Sequence, residues 1–437
     1  MNNSAQQTDA RKRIAALFDD GNFTEIDAFA KSSNGEIEVV AGFGLVAGTY
    51  AYAFSQDVTV DGGAISVAQC AKIKKVYDLA SKTGYPVVGI YDSNGVKLTE
   101  GFEAINAYGE ILKASTAVSG VVPQVSIIAG ACLGTSALMA NMADVVIATK
   151  DADFYVTAPS EITAEDSYNN GNIDILVDDV DSAILSAKKV VSLLPSNNLS
   201  AAPYFDFAEP CACEIGMSAK QIIESIADAN SLVELKAGYG SNVITALSTI
   251  AGSTVGFVAF DGQAICPNCA YKAETFVKLC DAFNVPIITV ANADGLDNNK
   301  EPQMLTAATK LTSAFASTTC PKISLVTSQA IGSAYIILAG KGSNADLTFA
   351  WEDAVVSPLD VDSSVAFLFN DRLANGEDRK ALEQEYKQTI GSAFSAGACG
   401  AVDDVFAAQE TRNKIISGLQ MLDSKRENTI PRKHSVK

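Results

Sequence analysis

Pro123-Gln124-Val125-Ser126-Ile127-Ile128-Ala129-Gly130-Ala131-Cys132-Leu133-Gly134-Thr135-Ser136 returns, 198 residues further on, as Pro321-Lys322-Ile323-Ser324-Leu325-Val326-Thr327-Ser328-Gln329-Ala330-Ile331-Gly332-Ser333-Ala334. Proline, an apolar run, a glycine turn and a small-residue segment recur in one order. That order reads as buried strand, tight turn and buried helix. Working outward, an offset of 200 pairs Lys72 with Lys272, Pro86 with Pro286 and Val87-Val88 with Ile287-Ile288, and an offset of 199 pairs Pro159 with Pro358. Drift of one or two residues over this distance is what loop insertions produce. The chain therefore holds two copies of one domain, with cores over 36–160 and 235–360 and domains over 1–200 and 201–437.

The elements of the first copy follow from periodicity. Gly42–Phe54 alternates like two strands around a turn at Ala47-Gly48. Ala68–Ser81 carries Ile73, Val76, Tyr77 and Ala80 at helical spacing. Pro86–Tyr91 is a buried strand before a polar turn at Asp92–Gly95, and a helix covers Glu103–Ser115. Next come the strand Gln124–Ile128, the turn Gly130–Gly134 and the helix Thr135–Met142. The second copy repeats this from Ser253 to Gly340, and strand alternating with helix predicts a mostly parallel α/β core. Between the copies, the acidic stretch Glu165, Asp166, Asp174, Asp178, Asp179 and Asp181 reads as solvated helix and loop. A charged helix is expected over Asp378–Gln388, with a basic tail from Lys425 to Lys437.

Composition narrows the chemistry. Of 437 residues, 32 are Lys or Arg and 51 Asp or Glu, a formal net charge of −19. A field of that sign repels phosphate backbones, so no nucleic-acid partner is expected. The single histidine, His434, lies near the C-terminus beside Arg432 and Lys433. Histidine triads and His-ligated metals are therefore disfavoured. Nine sparse cysteines fit reduced thiols, and Met1 to Arg13 has no apolar core of the signal-peptide kind, so the cytoplasm is expected. Ala114–Ala143 and Ile323–Gly340 are uncharged, but internal Pro, Gly and polar residues break the pattern of a membrane span.

The two glycine turns are the sharpest signals. Each ends an apolar strand and opens a helix, where first-turn N–H groups lack intrahelical partners and face whatever sits there. An enolate or thioester oxygen is a suitable guest. Cys266-Pro267-Asn268-Cys269 has neither a second Cys pair nor a suitably spaced His, so no metal site is expected. It reads as a capped helix start with incidental thiols, where the first copy has Gly62–Ala64. Gly340-Lys341-Gly342-Ser343 lacks a glycine at Tyr335, so the P-loop reading fails. None of the six Met precedes a Lys, which puts any biotinyl lysine on another chain.

Several stretches carry a resemblance that spans nearly the whole chain in order. They are Arg11–Leu17 with Phe23 to Asp27, Gln56–Gly63, Ala71-Lys72-Ile73, Gly120–Gln124, Leu194–Asn198, Cys280–Phe283 and Lys425 through His434. With the paired glycine turns, they resemble the carboxyltransferase subunits of biotin-dependent acyl-CoA carboxylases and of sodium-pumping acyl-CoA decarboxylases. The resemblance implies tandem crotonase-like domains of the ββα superhelix type. It also implies a carboxyl group carried on N1 of biotin, and a ureido anion that takes the α-proton of the acyl-CoA. The protein then needs no histidine base; it positions two cofactors and stabilises two oxyanions.

Carried over residue by residue, the resemblance implies one oxyanion hole at Gly134 and Thr135 facing the thioester, and another at Ser333 and Ala334 facing the biotin ureido group. Gly95, Val96, Gly332 and Ile336 fall at substrate-binding positions. Implied partners are an acyl-CoA, a biotin carboxyl carrier protein, and a biotin carboxylase or a sodium-pump membrane subunit. A homodimer or homohexamer is implied too, with sites shared between subunits. Departures are visible. Ser93-Asn94-Gly95-Val96-Lys97 before Glu100-Gly101 replaces a glycine pair followed by Ala-Arg and Glu-Gly, and Thr135 and Ser333 stand where glycines are usual. The segment after Pro159 is short, and Ala293–Glu301 replaces a longer loop. These leave open a non-catalytic scaffold subunit, and a hydratase-like reaction with Glu100 as its carboxylate.

Overall fold

The computed structural model describes residues 8–157 and 160–427. Pro159, the basic tail beyond Glu427 and His434 lie outside them. The chain divides into two compact units, Met1–Pro203 and Tyr204–Lys437.

In the first unit the strands are β1 Phe23–Glu25, β2 Val39–Val46, β3 Thr49–Gln56, β4 Val87–Ser93, β5 Gln124–Leu133, β6 Val145–Thr149, β7 Asp153–Tyr155 and β8 Ile175–Val177. The helices are α1 Asp9–Leu17, α2 Val67–Thr83, α3 Gly101–Val118, α4 Thr135–Ala140, α5 Ala164–Asn169 and α6 Val180–Leu193. The sheet runs β1-β2-β3-β4-β5-β6-β8, with β7 also on β5. β1, β2 and β3 pair antiparallel, and the rest parallel.

The second unit has β9 Val233–Leu235, β10 Val243–Ile250, β11 Ser253–Phe260, β12 Ile287–Ala293, β13 Lys322–Ile331, β14 Leu347–Trp351, β15 Val355–Ser357 and β16 Asp404–Phe406. Its helices are α7 Ala219–Ile226, α8 Pro267–Ala282, α9 Glu301–Ser317, α10 Ser333–Leu338, α11 Val361–Leu368, α12 Asn370–Ala374, α13 Arg379–Gln388, α14 Ala393–Ala398 and α15 Thr411–Leu422. Its sheet order, β9-β10-β11-β12-β13-β14-β16 with β15 on β13, repeats the first element for element. The units differ chiefly before the last strand, where one short helix, α5, corresponds to four, α11 to α14.

Local chemistry explains the recurring parts. The β2–β3 turn has φ of 48° at Ala47 and 78° at Gly48, and the β10–β11 turn 48° at Ala251 and 79° at Gly252. Two successive positive φ values make the two-residue hairpin whose twist matches its strands. The seven residues of β4 are all buried, as expected of a parallel strand covered on both faces. Helix α2 buries Ile73, Val76, Tyr77 and Ala80, starts on the Ser66 cap and stops at left-handed Gly84.

The Lys72/Lys272 pair of the repeat is structural. Each ammonium is buried and donates to a carbonyl of its hairpin, Lys72 to Val39 O and Lys272 to Val243 O, both at 2.8 Å. Burial draws the Lys272 amine down to about 8 and lowers that of Lys72.

Two expectations are corrected. The strand read as Gln124–Ile128 continues to Leu133, because a shift of register between Tyr91 and Ser93 lets Ala131–Leu133 pair with β7 instead of turning. The acidic stretch is not wholly solvated: Asp174 is buried and its carboxylate accepts the Val146 N–H at 2.8 Å. Asp179 is the exposed cap of α6, and Asp166, also exposed, closes the capping box of α5 by accepting the N–H of its cap, Thr163.

Candidate active site

In each unit one strand end and one helix start are tied to neighbouring backbone so that amides remain unpaired. Gly134 has φ 58° and ψ −124°, and Gly332 φ 54° and ψ −127°. A side chain makes this region costly, so glycine is required at both places. The Gly134 N–H donates to Tyr155 O of β7 at 3.0 Å, and the Gly332 N–H to Ser357 O of β15 at 2.8 Å. The glycine amides are thus occupied. Among the described residues the next amides along, those of Thr135 in the first unit and of Ser333 and Ala334 in the second, have no partner.

A second loop lies beside each helix start. Ser93 pairs with Cys132, and a Cβ on Gly95 would stand 3.1 Å from Leu133 O, so Gly95 packs against the strand that leads into Gly134. Val96 pairs with Ile65: Ile65 N–H donates to Gly95 O at 3.2 Å and Lys97 N–H to Ile65 O at 3.3 Å. The Val96 amide is left without a partner among the described residues. Gly295 and Leu296 repeat this arrangement, with Ile265 N–H to Gly295 O and Asp297 N–H to Ile265 O at 3.0 Å each. The sequence reading missed these two residues, although the 200-residue offset applied to Gly95 and Val96 points to them.

A buried polar network locks the first unit's two loops together. The Gly95 N–H donates to Ser93 Oγ at 3.0 Å, Tyr108 OH donates to Gly95 O at 3.2 Å, and Ser136 Oγ lies 2.8 Å from Tyr108 OH and 3.2 Å from Ser93 Oγ. All three side chains are fully buried. Their counterparts are the buried alanines Ala293, Ala308 and Ala334, so the second unit holds its loop with the Ile265 backbone bonds and packing, without a hydroxyl network. Sequence reasoning missed this network, since Ser and Tyr within apolar helices carry no distinctive spacing.

Ile336 is 52% exposed on α10, two residues beyond the unpaired amides. A cavity of about 330 Å³ opens along α4, lined by Ala137, Leu138, Asn141, Val156 and Ile162 among others. Lys97 takes a structural role: its ammonium turns inward to Glu38 and Asp61, each at 2.7 Å.

Glu100 is also committed to structure. Its Oε2 accepts the Val67 N–H that opens α2 at 2.7 Å, and its Oε1 accepts Ser33 Oγ at 3.3 Å. General acid–base groups contribute about 10²–10⁴ to a rate. Replacing Glu100 by Gln keeps the oxygen that caps α2, so turnover in a carboxyl-transfer assay is expected to stay within about twofold. A hundredfold loss would restore the hydratase-like reading.

The carboxyl transferase domain matches residues 2–436. The chain belongs to the carboxyl transferase family. It is 31% identical to the methylmalonyl-CoA decarboxylase subunit alpha of Veillonella parvula, over 97% of this chain and 92% of that one. It is 32% identical to the propionyl-CoA carboxylase beta chain of Saccharopolyspora erythraea, over 97% and 89%. The transcarboxylase 12S structure, a hexamer with methylmalonyl-CoA and methylmalonic acid bound, superposes with a TM-score of 0.91 at 30% identity, covering 98% of this chain and 91% of that one. The fold is the tandem crotonase-like one that the family resemblance implied. No helix among the described residues is long and apolar enough to cross a membrane.

Proposed function

We propose that this chain is the carboxyltransferase component of a biotin-dependent acyl-CoA carboxylase or decarboxylase, each unit being one carboxyltransferase domain. The observation that carries the reading is the duplicated helix start. A positive-φ glycine has its own N–H engaged, and the following amide is unpaired, in both units. Unpaired main-chain donors suit a reaction in which charge develops on a thioester oxygen and on a ureido oxygen. When bound, biotin supplies the nitrogen that carries the carboxyl group.

The chain's own residues do the positioning. Gly134 shapes the first turn and Thr135 supplies its donor; Gly95 brings Val96 beside it as a second. The apolar side chains of Leu138 and Val156 offer a wall for the acyl group. In the second unit Gly332 shapes the turn, and Ser333 and Ala334 donate toward biotin held on a separate carrier protein, with Ile336 at the rim. The nine free cysteines fit a reducing compartment, so the cytoplasm is the proposed location. A homo-oligomer is the proposed state, as in the hexameric transcarboxylase 12S.

The test uses the purified full chain with free biotin and a malonyl-type CoA ester labelled in its carboxyl group. Label is expected to pass from ester to biotin. No transfer at any pH would leave the scaffold reading in its place.

A further inference from the structure

Neither set of donor loops uses the Cys266-Pro267-Asn268-Cys269 stretch, whose two thiols meet at the start of the 16-residue helix α8. Cys266 is its cap: Sγ accepts the Cys269 N–H at 3.2 Å, and the two Sγ atoms lie 2.6 Å apart. A disulfide bond is about 2.05 Å, so the pair stands about half an ångström from bonding distance. Cys266 is half-buried and Cys269 fully buried, which leaves one sulfur open to attack and covers the other.

Capping does not require this pair. By helix position its counterpart in the first unit is Ser66 and Gln69, where Ser66 Oγ accepts the Gln69 N–H at 3.4 Å. The expected alignment with Gly62–Ala64 is thus displaced by a few residues toward the helix. Serine is the better cap, so cysteines at both positions call for a role in thiol chemistry.

Electrostatics divides the two thiols. The hydrogen bond from Cys269 draws Cys266 down to about 6 against the cost of burial, with help from the Cys269 and Asn268 amides and Lys300. The same hydrogen bond, then burial, pushes Cys269 up. The fully buried thiols of Cys70, Cys132, Cys280 and Cys320 are raised by burial.

We propose that Cys266 and Cys269 form a dithiol–disulfide site that exchanges with low-molecular-weight disulfides. The Cys266 thiolate attacks one sulfur of the small disulfide; the Cys266–sulfur bond forms, the reagent's S–S bond breaks, and one small thiolate leaves. Cys269 no longer faces an anion, so it releases its proton to solvent and attacks the Cys266 sulfur. The second small thiolate leaves and both small thiolates take protons from solvent; counting the proton Cys266 gave up on ionising, the dithiol has lost two electrons to the reagent and two protons to solvent. The site adjoins the Leu296 loop, since Ile265 directly precedes Cys266 and pairs with Gly295 and Asp297.

The reduced full chain, alkylated with iodoacetamide over a pH series and mapped by mass spectrometry, tests this. Cys266 is expected to react with a midpoint near pH 6, and at neutral pH at least about fivefold faster than the exposed Cys211 and Cys399. Oxidised glutathione is expected to give a chain lighter by two hydrogens, with Cys266 and Cys269 linked. Cys269→Ser is expected to hold glutathione on Cys266, and Cys266→Ser to leave Cys269 unreacted. Reaction of Cys266 no faster than that of Cys211 and Cys399, or two free thiols after oxidised glutathione, would overturn the proposal.

Discussion

Replacing Gly134 by Val is expected to lower carboxyl-transfer turnover by about 10²–10³, the scale on which removing one oxyanion donor acts. The cause is backbone geometry. A Cβ on Gly134 has room, its nearest neighbour being Val156 O at 4.0 Å, but φ 58° with ψ −124° is open almost only to glycine. Valine must leave that region or hold it at a cost of about 1–3 kcal/mol. Leaving it rotates the Gly134–Thr135 peptide and turns the Thr135 N–H away. Gly48→Ala is the control. Gly48 also has positive φ, 78°, with nothing within 4 Å of its Cβ, and it sits at a hairpin tip, so turnover is expected to be unchanged. Kinetics on the two variants, with thermal melts to establish folding, check the result. A wild-type rate for Gly134→Val would remove the Thr135 amide from the chemistry.

What the sequence revealed and what it hid separate along physical lines. Covered parallel strands and their helices are legible because burial imposes composition and period. Val87–Tyr91 of the strand read from Pro86 lie within β4, and Ala68–Ser81 lie within α2. The glycine turns are legible because a positive φ narrows the choice of residue. The run of β5 past Gly130 is hidden, since it depends on β7, a partner of three residues some twenty positions away. The Ser93–Tyr108–Ser136 network is hidden because a hydroxyl's partner depends on tertiary placement. Gly295 and Leu296 were within reach of the repeat itself. Lys97 shows the limit of matching by position: its neighbours in the chain align it with an arginine of the family, yet the charges around it turn it into the core.

Lys97→Met is expected to destabilise the chain by about 3–5 kcal/mol, the cost of leaving one partner of a buried ion pair uncompensated. Glu38 is fully buried, with Oε1 on the Lys97 ammonium at 2.7 Å and Oε2 on the Ser66 N–H at 2.7 Å. Methionine keeps the bulk of the lysine stem but leaves that carboxylate a single donor. Burial opposes the Lys97 charge, yet hydrogen bonds to Asp61 and Glu38 outweigh it and raise the amine. A raised amine contributes stability that is fully present below its unfolded value, near 10.4, and is lost only as pH climbs through the folded one. The destabilisation is therefore expected in full at neutral pH, as a drop in melting temperature of roughly 6–20 °C if the first unit melts as one domain. Glu38→Gln in the Lys97→Met background removes the stranded charge and keeps an oxygen for the Ser66 N–H, so it is expected to recover more than half of the loss. Turnover should fall with Lys97→Met as well, because Lys97 anchors the loop that carries Gly95 and Val96. An unchanged melting temperature, or no recovery in the double variant, would mean that the Glu38 carboxylate does not depend on Lys97.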